Sequence, residues 1–195
     1  MNEQTARIDI QIATAAFADE TAAFESLFRH FHPRLVRFLA KLLEGSSVDP
    51  EDVAQESMVK AWAKRDQFDP KYQFSTWAYT IARRTAADHL RNQPPAVTQT
   101  HLDEVEVSGD AAEDLIESRE TAANLWHVAQ RVLSSSQYAA LWLRYGEDMT
   151  VKEISRILAK SSVSTRVLLH RARTTLGPHL NSKPVGTDSR GGDIQ

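Results

Sequence analysis

Apolar side chains recur every three or four positions along most of this chain, which is the spacing of helices that bury one face. One wide apolar stripe covers residues 24–42, and Pro33 within it predicts a kink or an interruption. A second helix is predicted to begin at Pro50, with Asp49 as its N-cap. A third predicted helix covers residues 74–91. Since no stretch alternates convincingly as a strand does, the pattern predicts an all-α fold.

The helical pattern fails in the middle of the chain and divides it into parts. Two small helical domains are predicted, over residues 21–92 and 115–181. Residues 93–114 between them are mostly polar and acidic and contain two adjacent prolines, which is typical of a flexible linker. Residues 1–20 form an N-terminal extension, and the polar tail 182–195 is expected to be disordered.

The last two predicted helices, residues 150–159 and about 162–176, have the lengths and the short connection of a helix-turn-helix. A capping box formed by Thr150 and Glu153 begins the first of them. Ser161 is a suitable cap for the second. A small helical bundle with a solvated basic face is the simpler alternative, because a short helix-turn-helix pattern is a weak signal.

The turn and the end of this predicted motif carry unusual residues. Ala159 and Lys160 occupy the turn, where a glycine followed by an apolar residue would adopt the backbone conformation more easily. Gly177 and Pro178 are expected to end the final helix. The geometry of the turn is therefore left open by the sequence.

The final helix is predicted to have two chemically different faces. Its packed face consists of Thr165, Leu169, Ala172 and Leu176. The opposite side carries Val163, Val167, His170, Arg171 and Thr174, with Arg166 and Arg173 on one flank. Short polar, methyl-bearing and cationic side chains of this kind are suited to the base edges and phosphates of duplex DNA.

Two outward valines are unusual on such a face. Val163 and Val167 are expected to contact the methyl groups of thymine, which is a known form of apolar base readout. Contact with another protein is the alternative for the same two side chains.

Charge is distributed unevenly, although the net charge is only −3. Residues 1–92 carry 12 basic and 13 acidic side chains, whereas residues 93–118 carry no basic and 7 acidic ones. Residues 119–195 carry 11 basic and 6 acidic side chains. Such asymmetry reports on interaction surfaces, and the three blocks are a first indication of a domain, a linker and a second domain.

The second and third predicted helices combine acidic and aromatic–basic chemistry. The third helix carries three aromatic side chains followed by basic ones, which suits a nucleic-acid strand with exposed bases. The acidic second helix is expected to face a protein. Helix-dipole complementarity alone explains acids in its first turn but not Glu56. Burial in the core is the simpler alternative for Phe74 and Trp77, whereas Tyr79 is predicted to be less easily buried.

Several classes of protein are disfavoured by the sequence. The chain has no cysteine, so disulfides and thiolate-bound zinc are excluded and a reducing compartment is expected. No signal peptide or membrane span is predicted, so a cytoplasmic location follows. His30 and His32 lack an accompanying carboxylate arrangement and are interpreted as surface or boundary residues. Neither a phosphate loop nor a catalytic triad can be assembled, so an enzyme is not expected and no cofactor or metal is predicted.

Three segments together resemble one known family. They are DPEDVAQESMVKAW at 49–62, FSTWAYTIARRTAADHLR at 74–91 and LLHRAR at 168–173. This chain resembles bacterial RNA polymerase sigma factors of the extracytoplasmic-function (ECF) group over about residues 20–92 and 115–180. The resemblance implies two helical domains that bind the polymerase core and recognise the −10 and −35 promoter elements. It also implies that the acidic linker follows the RNA channel of polymerase.

The resemblance assigns a partner to each candidate surface. The residues implied to dock on the clamp coiled coil of polymerase are Asp49, Glu51, Asp52, Gln55 and Glu56. Those implied to engage the melted −10 element are Trp77, Tyr79, Arg83, Arg84, His89 and Arg91. The loop 68–73 is similar to one that captures a flipped base. The set expected to contact −35 duplex comprises Lys160, Ser162, Val163, Arg166, Val167, His170, Arg171 and Arg173. At Val163 and Val167 the family usually has glycine or small polar residues, so the −35 sequence preference does not carry over.

An anti-sigma factor is a further possible partner under this interpretation. Two other classes of function are left open. A stand-alone helix-turn-helix regulator would bind duplex DNA as a dimer without polymerase. A protein-interaction module that has lost DNA binding is supported only by the turn at Ala159 and Lys160.

Overall fold

The computed structural model describes residues 21–69, 71–92 and 120–180. Within these ranges the chain is helical and contains no strand, so the all-α prediction is confirmed. The helices are α1 (Thr21–Leu42), α2 (Pro50–Ala63), α3 (Phe74–Arg91), α4 (Glu120–Val132), α5 (Ser135–Leu141), α6 (Val151–Leu158) and α7 (Ser162–Leu180). A 3₁₀ turn covers Arg65–Gln67, and a π-helical turn, Trp142–Gly146, follows α5. The predicted N-terminal extension, acidic linker and polar tail lie outside the described residues.

Helix α1 continues through Pro33 without interruption. Most of its apolar stripe is buried, including Phe31, Leu35 and Phe38, whereas Phe24 and Phe28 near its start are only partly buried. Pro33 itself lies on the exposed side of the helix. Water can hydrate the carbonyl that has lost its backbone donor there, so burial of the opposite face is sufficient to maintain the helix.

Helix α2 begins as the sequence predicts. The Asp49 carboxylate accepts a hydrogen bond of 2.8 Å from the backbone N–H of Glu51, and Pro50 occupies the first helical turn. Val53 and Met58 are buried against α1 and α3. Because most apolar residues of α2 face inward, with Val59 as an exposed exception, Glu51 and Asp52 are left on the outer surface.

The C-terminal helices surround a cluster of aromatic rings. The Trp126 and Trp142 rings lie 4.8 Å apart, and Tyr138 stacks on Trp142 at 6.3 Å. The π-helical turn brings Gly146 against the same indole. A Cβ atom at Gly146 would lie 3.2 Å from Cδ2 of Trp142, so a larger residue would disturb this contact.

The helix-turn-helix forms with the predicted caps. Thr150 and Glu153 make the capping box of α6, and the Ser161 hydroxyl accepts a hydrogen bond of 3.1 Å from the N–H of Ser164 at the start of α7. Ala159, in the turn, adopts the left-handed conformation with φ 52° and ψ 41°. The turn therefore has the backbone that glycine would adopt at lower cost.

The end of the final helix differs from the prediction. Helix α7 continues through Gly177 and Pro178 to Leu180. The carbonyl that Pro178 leaves without a donor belongs to Thr174, which is exposed. Solvent can replace the missing hydrogen bond there, so this proline does not end the helix.

The N-terminal unit (α1–α3) and the C-terminal unit (α4–α7) share one apolar core. Helix α3 packs on α6, and α1 packs on α5. The two predicted helical domains correspond to these two units, which pack against each other in this structure. Tyr79 of α3 and Trp142 of the π-helical turn are both buried and both belong to this shared core.

Candidate nucleic-acid interface

The acidic side of α2 is a continuous exposed surface. Glu51, Asp52 and Gln55 are exposed, and so is Asp49, although its carboxylate also caps the helix. The structure therefore brings four of the five residues predicted for polymerase docking to one solvent-facing surface.

Glu56, the fifth residue of that set, has partners within the chain. One carboxylate oxygen lies 2.7 Å from Nζ of Lys60, and the other lies 2.5 Å from Nε2 of His89. Hydrogen bonds from Lys60 and then His89 lower the pKa of the Glu56 carboxyl. These two contacts explain an acid that the helix dipole did not, and the contact with His89 connects α2 to α3.

The aromatic residues of α3 lie at different depths. Phe74 is fully buried, which agrees with the alternative that it belongs to the core. Trp77 is half-buried, with its ring 5.7 Å from Phe74 and 5.4 Å from Phe68 of the preceding loop. The position of Trp77 is therefore intermediate between core and surface.

The cationic residues of α3 are only partly exposed to solvent. Arg84 and Arg91 are exposed, and Arg91 pairs with Asp88 at 2.6 Å. Arg83 is half-buried, and this burial, together with repulsion from Arg84, lowers the pKa of its guanidinium. His89, half-buried, faces Glu56.

Tyr79 is fully buried, so the expectation that it resists burial is wrong. Its hydroxyl accepts a hydrogen bond of 3.1 Å from Nε1 of Trp142, and its ring meets the edge of Phe38 at 5.0 Å. Burial, followed by the nearby Glu147 carboxylate, raises the pKa of the phenol well above its usual value. In this packed arrangement Tyr79 is inaccessible to DNA.

The contacts between the two units form what we call the inter-unit interface. Besides Tyr79 and Trp142, it contains an ion pair of 3.0 Å between Nε of Arg34 and the buried Glu147 carboxylate. The guanidinium of Arg156 lies 4.9 Å from the ring centre of Tyr72. Helix α6 and the turn before it therefore cover part of α3 and of the loop 68–73, which are the segments predicted to meet the −10 strand.

The contacts of this interface have no recognisable signal in the sequence. In the sequence, Trp142 is one of several apolar residues at helical spacing. Arg34 and Glu147 are not part of any recognisable motif. The hydrogen-bonded pair Tyr79 and Trp142 is separated by 63 residues, and nothing in a single sequence reports contact over that interval.

Helix α7 has the two faces that its sequence predicts. Thr165, Leu169, Ala172 and Leu176 are all buried. The members of the predicted −35 set that are exposed are Ser162, Val163, Arg166, Val167, His170, Arg171 and Arg173, while Lys160 is half-buried. The exposed side of α7 is thus cationic and polar except at its two valines.

A buried pair of hydroxyls fixes α7 against α6. The oxygens of Ser155 and Thr165 lie 2.9 Å apart. The Ser155 hydroxyl also bonds to the Val151 carbonyl at 2.7 Å, and the Thr165 hydroxyl bonds to the Ser161 carbonyl at 3.0 Å. The two hydroxyls have two protons for these three contacts, so when one hydroxyl donates to the other, the second donates to the carbonyl of its own helix, and this pairing joins α6 to α7.

Other kinds of site are not found in the described residues. No group of three or more metal-ligating side chains comes together in the part of the chain that the structure describes. Among the described helices, none has the length and apolar content to cross a bilayer.

Comparison with known proteins matches both units to one family. The Sigma-70 region 2 model matches residues 27–94, and the Sigma-70 region 4 model matches residues 130–176. The ECF RNA polymerase sigma factor RpoE of Cereibacter sphaeroides is 30% identical over 80% of this chain and 86% of its own length. BldN, an ECF sigma factor of Streptomyces coelicolor, is 28% identical over 86% of this chain, which spans 64% of BldN.

A solved structure has the same fold. The sigma factor RpoE of Bartonella quintana, in complex with the anti-sigma factor NepR, aligns with a TM-score of 0.59 and 21% identity. The alignment covers 82% of this chain and 98% of that one. With both sigma regions matched and a relative similar along most of its length, this chain belongs to the ECF group of RNA polymerase sigma factors.

Proposed function

We propose that this chain binds the RNA polymerase core and directs it to promoters, where it contacts the −35 duplex and stabilises the melted −10 strand. One observation supports the proposal most directly: this sigma-factor chain has two exposed surfaces of opposite charge, each suited to a different partner. The acidic side of α2 suits a protein partner, and the cationic side of α7 suits duplex DNA.

Docking is assigned to Asp49, Glu51, Asp52, Gln55 and Glu56. Contact with the −10 strand is assigned to Trp77, Arg83, Arg84, His89 and Arg91, with Tyr79 joining them only when the units separate. The −35 duplex is contacted by the exposed residues of α7 and by Lys160.

The two units must separate on a promoter, because the two DNA elements are farther apart than the packed chain can reach. The −10 and −35 elements are centred about 25 base pairs apart, which is roughly 85 Å at 3.4 Å per step. A packed chain of the described size has a radius of gyration of only about 14 Å. The 27 residues from 93 to 119 reach roughly 90 Å when fully extended, which is sufficient for the separation.

The sigma factor then acts through positioning. Polymerase holds the two units at the promoter spacing, so two weak DNA contacts act together through their effective concentration. Polymerase supplies the bond chemistry, and the sigma factor itself performs none and needs no ATP. An anti-sigma factor that binds the packed chain would keep the two units together. The sigma factor and the anti-sigma factor would both be in the cytoplasm, where polymerase is.

Reconstitution tests the proposal. Core polymerase plus this chain is expected to start transcription at a defined site on a promoter that core alone ignores. The matched control is a variant with Arg166→Ala and Arg171→Ala, which should still bind core but lose initiation. Failure of the wild-type chain to bind core in a pull-down would contradict the proposal.

A further inference from the structure

Two aliphatic side chains stand out on the cationic side of α7. Val163 is 69% exposed and Val167 is 43% exposed. Neither packs into the apolar core, whose members from α7 are on the opposite face. Helix propensity does not explain them either, because β-branched residues are among the weaker helix formers. Their exposure therefore points to contact with another molecule.

The position of the two valines on α7 is that of base-reading residues. Helix-turn-helix proteins contact base edges with the first turns of the second helix, and α7 begins at Ser162. Val163 and Val167 are four residues apart and so lie on one face, about 6 Å apart along the helix axis. The Ser155–Thr165 hydroxyl pair fixes this face relative to α6.

The surroundings of the valines favour DNA over a protein partner. Arg166, His170 and Arg171 are exposed next to them. From Lys152 to Lys183 the chain has seven basic residues and one acid. In the major groove, the C5-methyl of thymine is the apolar group that an isopropyl side chain can contact, while neighbouring arginines reach phosphates.

We propose that Val163 and Val167 are specificity-determining residues that read the methyl groups of two thymines in the −35 element. A separation of about 6 Å along α7 corresponds to roughly two base-pair steps of 3.4 Å, so the two thymines lie about that far apart. The inference rests on the proposed function and deepens it at one site.

Deoxyuridine substitution tests this reading because it removes the thymine methyl and nothing else. A −35 duplex would first be selected by reconstituted holoenzyme from a library randomised across that element. Each selected thymine would then be replaced singly by deoxyuridine. Loss of one buried methyl should weaken binding of the wild-type holoenzyme about fourfold at two positions.

Variants of the chain assign each position. Val167→Ala should weaken binding to the thymine duplex and abolish the effect of deoxyuridine at one position, while the other position keeps its effect. Val163→Ala should show the reverse. Arg166→Ala is the matched control. It should weaken binding to all duplexes and reduce the slope of log affinity against log salt concentration by about one, while both deoxyuridine effects are preserved.

The outcomes separate this inference from the proposed function. If the holoenzyme initiates but no selected thymine responds to deoxyuridine, or if both valine variants keep the full response, the valines do not read thymine and a protein contact is left as their role. If the wild-type chain forms no initiating holoenzyme, the proposed function fails, and the inference fails with it.

Discussion

Trp142 donates a hydrogen bond of 3.1 Å from its indole Nε1 to the hydroxyl of Tyr79, and both side chains are buried. One residue belongs to the C-terminal unit and the other to the helix that faces the −10 strand in the proposed function. The same tyrosine cannot hold the indole and contact DNA at once. Closure of the chain and engagement of the −10 strand by Tyr79 are therefore mutually exclusive.

Tyr79→Phe is expected to favour the separated units. The substitution leaves the buried indole N–H without its acceptor, at a cost of about 1–3 kcal/mol to the packed arrangement. The native chain has no cysteine, so dyes on Gln67→Cys and Thr174→Cys can report the distance between the units. Single-molecule energy transfer should show an open population raised roughly fivefold or more.

Tyr145→Phe is the control for this substitution, because Tyr145 is 54% exposed. It should leave the energy-transfer distribution unchanged. Equal distributions for wild type and Tyr79→Phe would show that the hydrogen bond does not stabilise closure.

The Arg34–Glu147 ion pair should contribute strongly to stability. The Glu147 side chain is 2% exposed, so Arg34→Ala leaves a buried carboxylate without this cation. We expect a loss of about 3–5 kcal/mol in the free energy of unfolding, measured by urea denaturation. The exposed pair of Arg29 and Glu25 is the comparison, and Arg29→Ala should cost less than about 1 kcal/mol. Similar losses in the two variants would contradict this account.

Ala159→Gly should stabilise the helix-turn-helix. Ala159 has φ 52°, a conformation that costs an L-residue more than it costs glycine. After the greater freedom of glycine in the unfolded chain is subtracted, a gain of about 0.5–1 kcal/mol is expected in thermal unfolding. Ala87→Gly, within α3, should have the opposite sign and cost about 1 kcal/mol. A destabilised Ala159→Gly protein would contradict the assigned turn conformation.

Glu56→Gln should have a pH-dependent effect on stability. The pKa of Glu56 is lowered in the folded chain, so its contribution is present above the usual glutamate pKa and is lost as pH falls through the lowered value. The difference in unfolding free energy between wild type and variant should be small at neutral pH, under about 1 kcal/mol, because the carboxylate is partly exposed. It should disappear in acid.

Asp52→Asn provides the comparison at neutral pH. Asp52 is exposed on the same helix. Both variants should weaken binding to polymerase core. Asp52→Asn loses only the helix-dipole contribution of an acid in the first turn, whereas Glu56→Gln also loses its contacts with Lys60 and His89. A Glu56→Gln chain that binds core normally would restrict Glu56 to its internal role with Lys60 and His89.

The helices and their faces were predictable because they depend on local chemistry. Caps at Asp49, Thr150 and Ser161 involve residues two or three positions apart, and all three form. The buried and exposed faces of α7 follow from helical spacing alone. Two prolines, at 33 and 178, were misleading, since their effect depends on whether the freed carbonyl meets solvent.

The depth of Tyr79 was not predictable for a different reason. A tyrosine on a basic helix is usually exposed, but Tyr79 packs on Phe38 of α1 and is hydrogen-bonded by Trp142 of the other unit. Glu56 illustrates the same limit, because its partner His89 lies 33 residues away. Residue type and spacing report on contacts within a helix, but contacts between helices depend on the packing of the whole chain.

The inter-unit contacts also differ from the rest of the core in contact order. The hydrogen bonds from Arg34 to Gly146 and from Ser135 to Lys41 join residues separated by 112 and 94 positions. During synthesis at roughly 5–20 residues per second, α3 is complete several seconds before α7. Until Trp142 has been made, which happens before α7 is complete, Tyr79 has no indole to bond, so the surface proposed for the −10 strand is available before the closed arrangement can form.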